Sequence, residues 1–270
     1  MMQKVNGVEH EIHGEVEPVL LIHGSLVADA FLPLARENAL ADRYRLIRYH
    51  RRGYVGSDPH DGPFSVEEQA QDAEMLLDAL GVESAHVVGH SFGGLIAMQM
   101  ACQESSVVHS LTLLEPSKTT EHVDRSQVID PAMAHYRSGD LAEAVNSFVA
   151  AGCGPDWRAE TERTVPGGPD QAETDAATFF EVDIPSTGSW ILDEDRAQRI
   201  SQPVLYVLGG ESGPGGEHAK RAFRSAVPQT EEVVLQGLNH LMQIRDPNKV
   251  AVTIAGFLER HPLREMETLP

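Results

Sequence analysis

A chain of 270 residues, 41% of them hydrophobic and 23% charged, has the size and mixture of one large α/β domain, not of a disordered or fibrous protein. Its 41 acidic against 21 basic residues give a net charge of −20, which argues against nucleic acid and anionic membranes as partners, because both attract clustered Lys and Arg. The same charge favours solubility and predicts slow encounter with anionic substrates.

In chain order, residues 5–12 read as a short hairpin at the sheet edge, because Asn6-Gly7 supplies the positive φ angles of a tight turn. Val19-Leu20-Leu21-Ile22 is a continuous apolar run, as expected of a strand covered on both faces, and a second run follows at 45–49. Ser65 and Glu68 form a capping-box pattern that opens a helix, with apolar positions at Met75, Leu76, Leu77 and Leu80 and a stop at Gly81. A strand at 85–89, a helix from 91 to about 103 and a strand at 110–114 complete the first half, the last stopped by Glu115-Pro116. Such alternation builds a mostly parallel sheet flanked by helices, whose ligand site lies beyond the carboxyl ends of the strands.

From 117 to 195 the pattern changes. Helical segments near 131–137 and 140–151 give way to Gly- and Pro-rich stretches such as Pro166-Gly167-Gly168-Pro169, with no strand run. The sheet pattern returns at 203–208, followed by a helix near 217–226, a strand near 231–235 and a terminal helix over about 247–261. The expected organisation is therefore a core domain of 1–116 and 196–270 with a helical cap inserted at 117–195. No stretch reaches the ~20 apolar residues of a membrane span, and residues 1–14 lack the cationic flank and apolar run of a signal peptide, so a cytoplasmic location is expected. Cys102 and Cys153 have no partner at metal-ligand spacing and read as free thiols.

Gly89-His90-Ser91-Phe92-Gly93 fits the G-x-S-x-G turn in which a serine is presented between a strand and a helix, with glycines two positions either side so that the chains can pass. Together with Leu21-Ile22-His23-Gly24, Arg52-Gly53-Tyr54-Val55-Gly56-Ser57 and Gly237-Leu238-Asn239-His240, it resembles the α/β-hydrolase superfamily over roughly 18–115 and 203–258. The resemblance implies a mostly parallel sheet with a helical cap, Ser91 as nucleophile and His240, in the short loop after the last strand, as general base. It leaves His23 as a brace for its loop and gives His90 no defined role. A serine needs such a base, and the base needs an acid to hold its tautomer. The loop after strand 204–208 usually carries that acid, but here reads Gly209-Gly210-Glu211-Ser212, with Ser212 in the acid's place. Glu115, at the end of the strand that follows the nucleophile strand, is the preferred acid and Glu211 the alternative.

The family's oxyanion hole maps to the backbone N–H groups of Phe92 and Ser25, or of Leu26 if the loop is shifted by one. Tyr54, Trp157, Phe179, Phe180 and Trp190 fall near a capped pocket, with ordinary packing as their default role. The resemblance implies hydrolysis of carboxylic esters through an acyl-enzyme, a small-molecule ester or lactone as partner, and no cofactor or metal. Lactone and carbon–carbon bond hydrolysis are alternatives on the same residues. A ligand-binding receptor of this fold with little turnover is the alternative of another class. Whether the chain forms a homodimer is left open.

Overall fold

The apolar runs of the sequence form the centre of one eight-stranded sheet. A computed structural model describes residues 2–103, 107–117 and 127–263. Residues 118–126 of the expected insertion and 264–270 of the expected core lie outside the described residues. The strands are β1 (Gln3–Val5), β2 (Val8–His13), β3 (Glu17–Ile22), β4 (Tyr44–Tyr49), β5 (Ala85–His90), β6 (Val108–Leu114), β7 (Val204–Gly209) and β8 (Thr230–Leu235). They lie in the order β1-β2-β4-β3-β5-β6-β7-β8. β1 and β2 pair antiparallel through the Asn6-Gly7 turn, whose φ angles are 51° and 79°; from β4 to β8 every pair is parallel.

Two-sided burial explains the unbroken apolar runs. In β3, Leu20 and Ile22 join the cluster on one face while Val19 and Leu21 join that on the other; in β7, Val204, Tyr206 and Leu208 face the first and Leu205 and Val207 the second. Successive side chains of a strand point to opposite faces, so a strand with helices on both sides has no polar face. The helices are α1 (Asn38–Ala41), α2 (Val66–Ala79), α3 (Phe92–Ala101), α4 (Ile129–Arg137), α5 (Leu141–Cys153), α6 (Trp157–Thr164), α7 (Gly168–Thr174) and α8 (Ala176–Thr178). They continue with α9 (Ile184–Ser189), α10 (Glu194–Arg199), α11 (Gly213–Ala226), α12 (Met242–Arg245) and α13 (Pro247–Leu258). α2 and α3 cover the first face with α11, and α1 and α13 the second. The Ser65–Glu68 capping box opens α2, with Glu68 N–H donating to Ser65 Oγ at 3.1 Å and Ser65 N–H to Glu68 Oε2 at 2.8 Å.

Between β6 and β7 a third cluster joins Ala132, Val145, Trp157, Phe180 and Ile184 to Leu26, Val27 and Leu241 of the loops at the sheet's carboxyl edge. The Gly- and Pro-rich stretches there carry α6 to α10 and a π-helical turn, Phe179–Asp183. Pro169 sits in the first turn of α7, where a missing N–H costs nothing. Trp190, Leu192 and Ala197 pack into the cluster on the sheet's first face. No described helix is long and apolar enough to cross a membrane.

Candidate active site

At the carboxyl end of β5 the chain turns into α3 through Ser91, which has φ 52° and ψ −119°, a conformation that costs a non-glycine residue energy and persists only where the surroundings enforce it. They do so from several sides. Ser91 N–H donates to Leu114 O at 3.1 Å, and Ser91 O accepts from Gly94 N–H at 2.9 Å and Ser117 N–H at 3.0 Å. The flanking glycines answer a close approach of backbones. A Cβ on Gly93 would collide with Ile22 O and lie 2.6 Å from His23 O, and one on Gly89 would collide with Gly93 O. Phe92 is the first residue of α3, so its N–H has no acceptor inside the helix and lies in the field of the helix N-terminus.

Glu115 follows β6 with φ 40° and is 7% exposed. Its Oε2 accepts from His240 Nδ1 at 2.8 Å; its Oε1 accepts from Gly209 N–H at 2.6 Å and from the Ser212 hydroxyl. Burial pushes the Glu115 pKa up, but the His240 contact, with help from Ser212 and Gly209, outweighs it and leaves the carboxyl below its usual value. Glu211 points elsewhere: its side chain is 54% exposed and its Oε2 accepts from Arg245 Nη1 at 3.0 Å. Ser212, which stands where the resemblance led us to expect a carboxylate, thus donates its hydroxyl to Glu115 at the end of the neighbouring strand.

His240 lies in the loop after β8, which is held against the end of β7 by Gly210 N–H to Leu235 O and Glu211 N–H to Leu238 O, both 2.9 Å. His90 braces it from below. Its Nε2 donates to His240 O at 2.8 Å while Nδ1 accepts from the Gln243 amide at 3.2 Å, an assignment that requires a neutral ring. Burial, reinforced by the neighbouring His240, lowers the His90 pKa to about 3. The sequence offered no signal for this role beyond adjacency to Ser91. His23 braces its own loop, with Nδ1 donating to Gly24 O at 2.6 Å and Nε2 accepting from Arg51 N–H at 2.9 Å.

The loop after β3 runs beside the serine: a Cβ on Gly24 would lie 3.0 Å from Ser91 Cβ. Leu26 N–H points at Tyr54 Oη at 3.4 Å, which engages the shifted alternative donor and leaves Ser25 N–H as the candidate. Ser25, Ser91, Phe92, Glu115, Ser212 and His240 line one cavity of about 1110 Å³. Phe148, Val149, Phe179, Trp190 and Ile191 supply apolar wall; of the other aromatic candidates, Tyr54, Trp157 and Phe180 are packed elsewhere. Among the described residues there is no cluster of side chains that would hold a metal ion. Burial raises the thiols of Cys153 to about 12 and Cys102 to about 11, so both stay protonated.

A serine held in a strained strand-to-helix turn, at the carboxyl edge of a parallel sheet and beside an imidazole–carboxylate pair, is the arrangement of an α/β-fold hydrolase. The family model for the alpha/beta hydrolase fold matches residues 17–160, and the chain belongs to that family. It is 42% identical over 105 residues to a putative carbamate hydrolase, RutD, of Azorhizobium caulinodans; that match spans 39% of either chain. It is 26% identical to a cis-3-alkyl-4-alkyloxetan-2-one decarboxylase of Xanthomonas campestris, over 92% of this chain and 90% of the relative. The enol-lactonase of Burkholderia xenovorans superposes with a TM-score of 0.77 at 19% identity, over 96% of this chain and all of that one. The chain spans less than half the length of the first RutD relatives it matches, and what it shares with the enol-lactonase is the fold.

Proposed function

We propose that the protein hydrolyses carboxylic esters, lactones included, through Ser91, His240 and Glu115. The observation that carries this reading is the 2.8 Å contact of His240 Nδ1 with Glu115 Oε2 at the wall of the cavity that Ser91 also lines. With Nδ1–H held by an ionised carboxylate, the free Nε2 of His240 is the basic nitrogen. It takes the Ser91 Oγ proton as Oγ attacks the carbonyl carbon, and the oxyanion is met by the N–H groups of Phe92 and Ser25. Collapse expels the alcohol, protonated by His240. A water, deprotonated by the same nitrogen, then attacks the acyl-enzyme, and the carboxylic acid leaves with Ser91 reprotonated. In a lactone, the alcohol and acid stay in one product.

The helices over 129–189 act as a cap in this reading, and their apolar wall favours an apolar acyl or alkyl portion. Burial of each methylene contributes about 0.8 kcal/mol, so specificity is expected to rise from acetate to butyrate. The names of the relatives add carbamates and oxetan-2-ones, the latter cyclic esters, to the compounds worth screening. The deciding measurement is the initial rate on p-nitrophenyl acetate and butyrate for wild type and Ser91→Ala at matched concentration. The expected result is loss of the rate in the variant, with butyrate the better substrate of the wild type. Equal rates would remove Ser91 from the chemistry, and no rate in either would favour ligand capture in the same cavity.

A further inference from the structure

The Ser25 loop and the segment roofing the cavity meet at a buried carboxylate that the ester chemistry does not use. Asp183, 1% exposed, closes the π-helical turn Phe179–Asp183, a geometry that is rare and concentrated at functional positions. Its Oδ1 accepts from Arg51 Nη1 at 2.9 Å; its Oδ2 accepts from Arg51 Nη2 at 2.8 Å, Tyr54 Oη at 2.6 Å and Ser25 Oγ at 2.6 Å. Arg51 Nη2 also donates to Gly24 O at 3.1 Å, and Tyr54 Oη accepts from Leu26 N–H at 3.4 Å. Three consecutive residues, 24 to 26, are therefore each tied to this carboxylate directly or through one of its partners. The Arg51 guanidinium carbon also sits 4.6 Å from the ring centroid of Phe92, the other donor residue. A buried ion pair gives little net stability over apolar packing of the same volume, so stability alone does not account for this arrangement.

We propose that Asp183 is a positioning residue for the oxyanion-binding loop: through Ser25 Oγ it sets the direction of Ser25 N–H, and it couples that donor to the segment covering the cavity. The proposal rests on Ser25 N–H being an oxyanion donor in the reaction above. A full donor contributes on the order of 10²–10³ in rate, and a misdirected one a fraction of that.

The test uses an ester that the wild type turns over in a Ser91-dependent way, with butylboronic acid as a probe that forms a tetrahedral adduct on the serine. Ser25→Ala keeps the Arg51–Asp183 pair intact. It is expected to lower kcat at least tenfold with KM within twofold, to weaken boronate inhibition by a similar factor, and to be rescued by Ser25→Thr. Because Asp183 also holds Gly24 through Arg51 and Leu26 through Tyr54, Asp183→Asn is expected to lower kcat at least as much as Ser25→Ala, and combining the two to lower it no further than Asp183→Asn alone. If Asp183→Asn does not fold, with Arg51 left unpaired, the Ser25 variants still decide. An unchanged kcat in Ser25→Ala overturns the proposal, as does a loss that Ser25→Thr fails to restore and that tracks a fall in Tm. Turnover that survives Ser91→Ala is a different failure, since it removes the underlying reaction and this proposal with it.

Discussion

Glu115 uses its two oxygens for two tasks: Oε2 holds the Nδ1 face of His240, while Oε1 is itself held by Gly209 N–H and the Ser212 hydroxyl. Its lowered pKa keeps it ionised at neutral pH, as the proposed role of fixing the imidazole tautomer and stabilising the imidazolium requires. Glu115→Gln is expected to lower kcat by about two to four orders of magnitude, whereas Glu211→Gln, removing a half-exposed carboxylate paired to Arg245, changes it only a few-fold. Steady-state kinetics on one ester separate these, and the reverse order would move the acid to Glu211. Ser212 stands one hydrogen bond from the position a carboxylate needs. Ser212→Asp placed on Glu115→Gln is therefore expected to regain at least about tenfold in kcat over the single variant. No gain would mean that the loop after β7 cannot direct an acid at His240.

At the scale of elements, the site is a consequence of backbones crossing closely where β5 turns into α3. Gly93 meets carbonyl oxygens of β3 and its following loop, which cannot yield as a side-chain tip would. Gly93→Ala is expected to cost about 3 kcal/mol or more, read as a large drop in Tm or a failure to fold. Gly152, in the last turn of α5 and facing open space, is the counterexample. Gly152→Ala is expected to stabilise by about 0.5–1 kcal/mol, since alanine gives up less backbone freedom in a helix. A Tm for Gly93→Ala near wild type would show that the elbow is looser than these contacts require. The same closeness lets Glu115 reach across: β6 and β7 are adjacent in the sheet, so a side chain at the end of β6 meets His240 in the loop after β8 and is held by Gly209 and Ser212 at the end of β7.

For the whole molecule, burying neutral histidines ties stability to pH. His90 is lowered to about 3, His86 to about 4 and His23 well below its ordinary value, each chiefly by burial. In the unfolded chain the same rings titrate near about 6.5, so below that pH the unfolded state binds protons the folded state refuses. Their contribution is complete above about pH 6.5 and is lost as pH falls, by about 1.4 kcal/mol per unit for each ring. Carboxylates with lowered values, such as Glu115, lose their contribution only below about pH 4.3, while Asp175 and Glu74, raised by burial, act in the opposite sense near that lower limit. The urea midpoint is expected to fall from pH 7 to pH 5 and to fall less steeply in His90→Gln; a flat profile would mean that these rings accept protons in place. The sequence by itself determined the doubly covered strands, through apolar runs such as 19–22 and 204–208, and the strand–serine–helix turn, through glycines whose spacing has a local steric cause. Local signals also carried the Asn6-Gly7 hairpin and the cap of α2. Only the tertiary structure decided that Glu115 and not Glu211 meets His240, that His90 braces the His240 loop, and that Asp183 joins Arg51, Tyr54 and Ser25. Those partners lie between 125 and 158 residues apart along the chain, and no local propensity or period encodes contacts made at that separation.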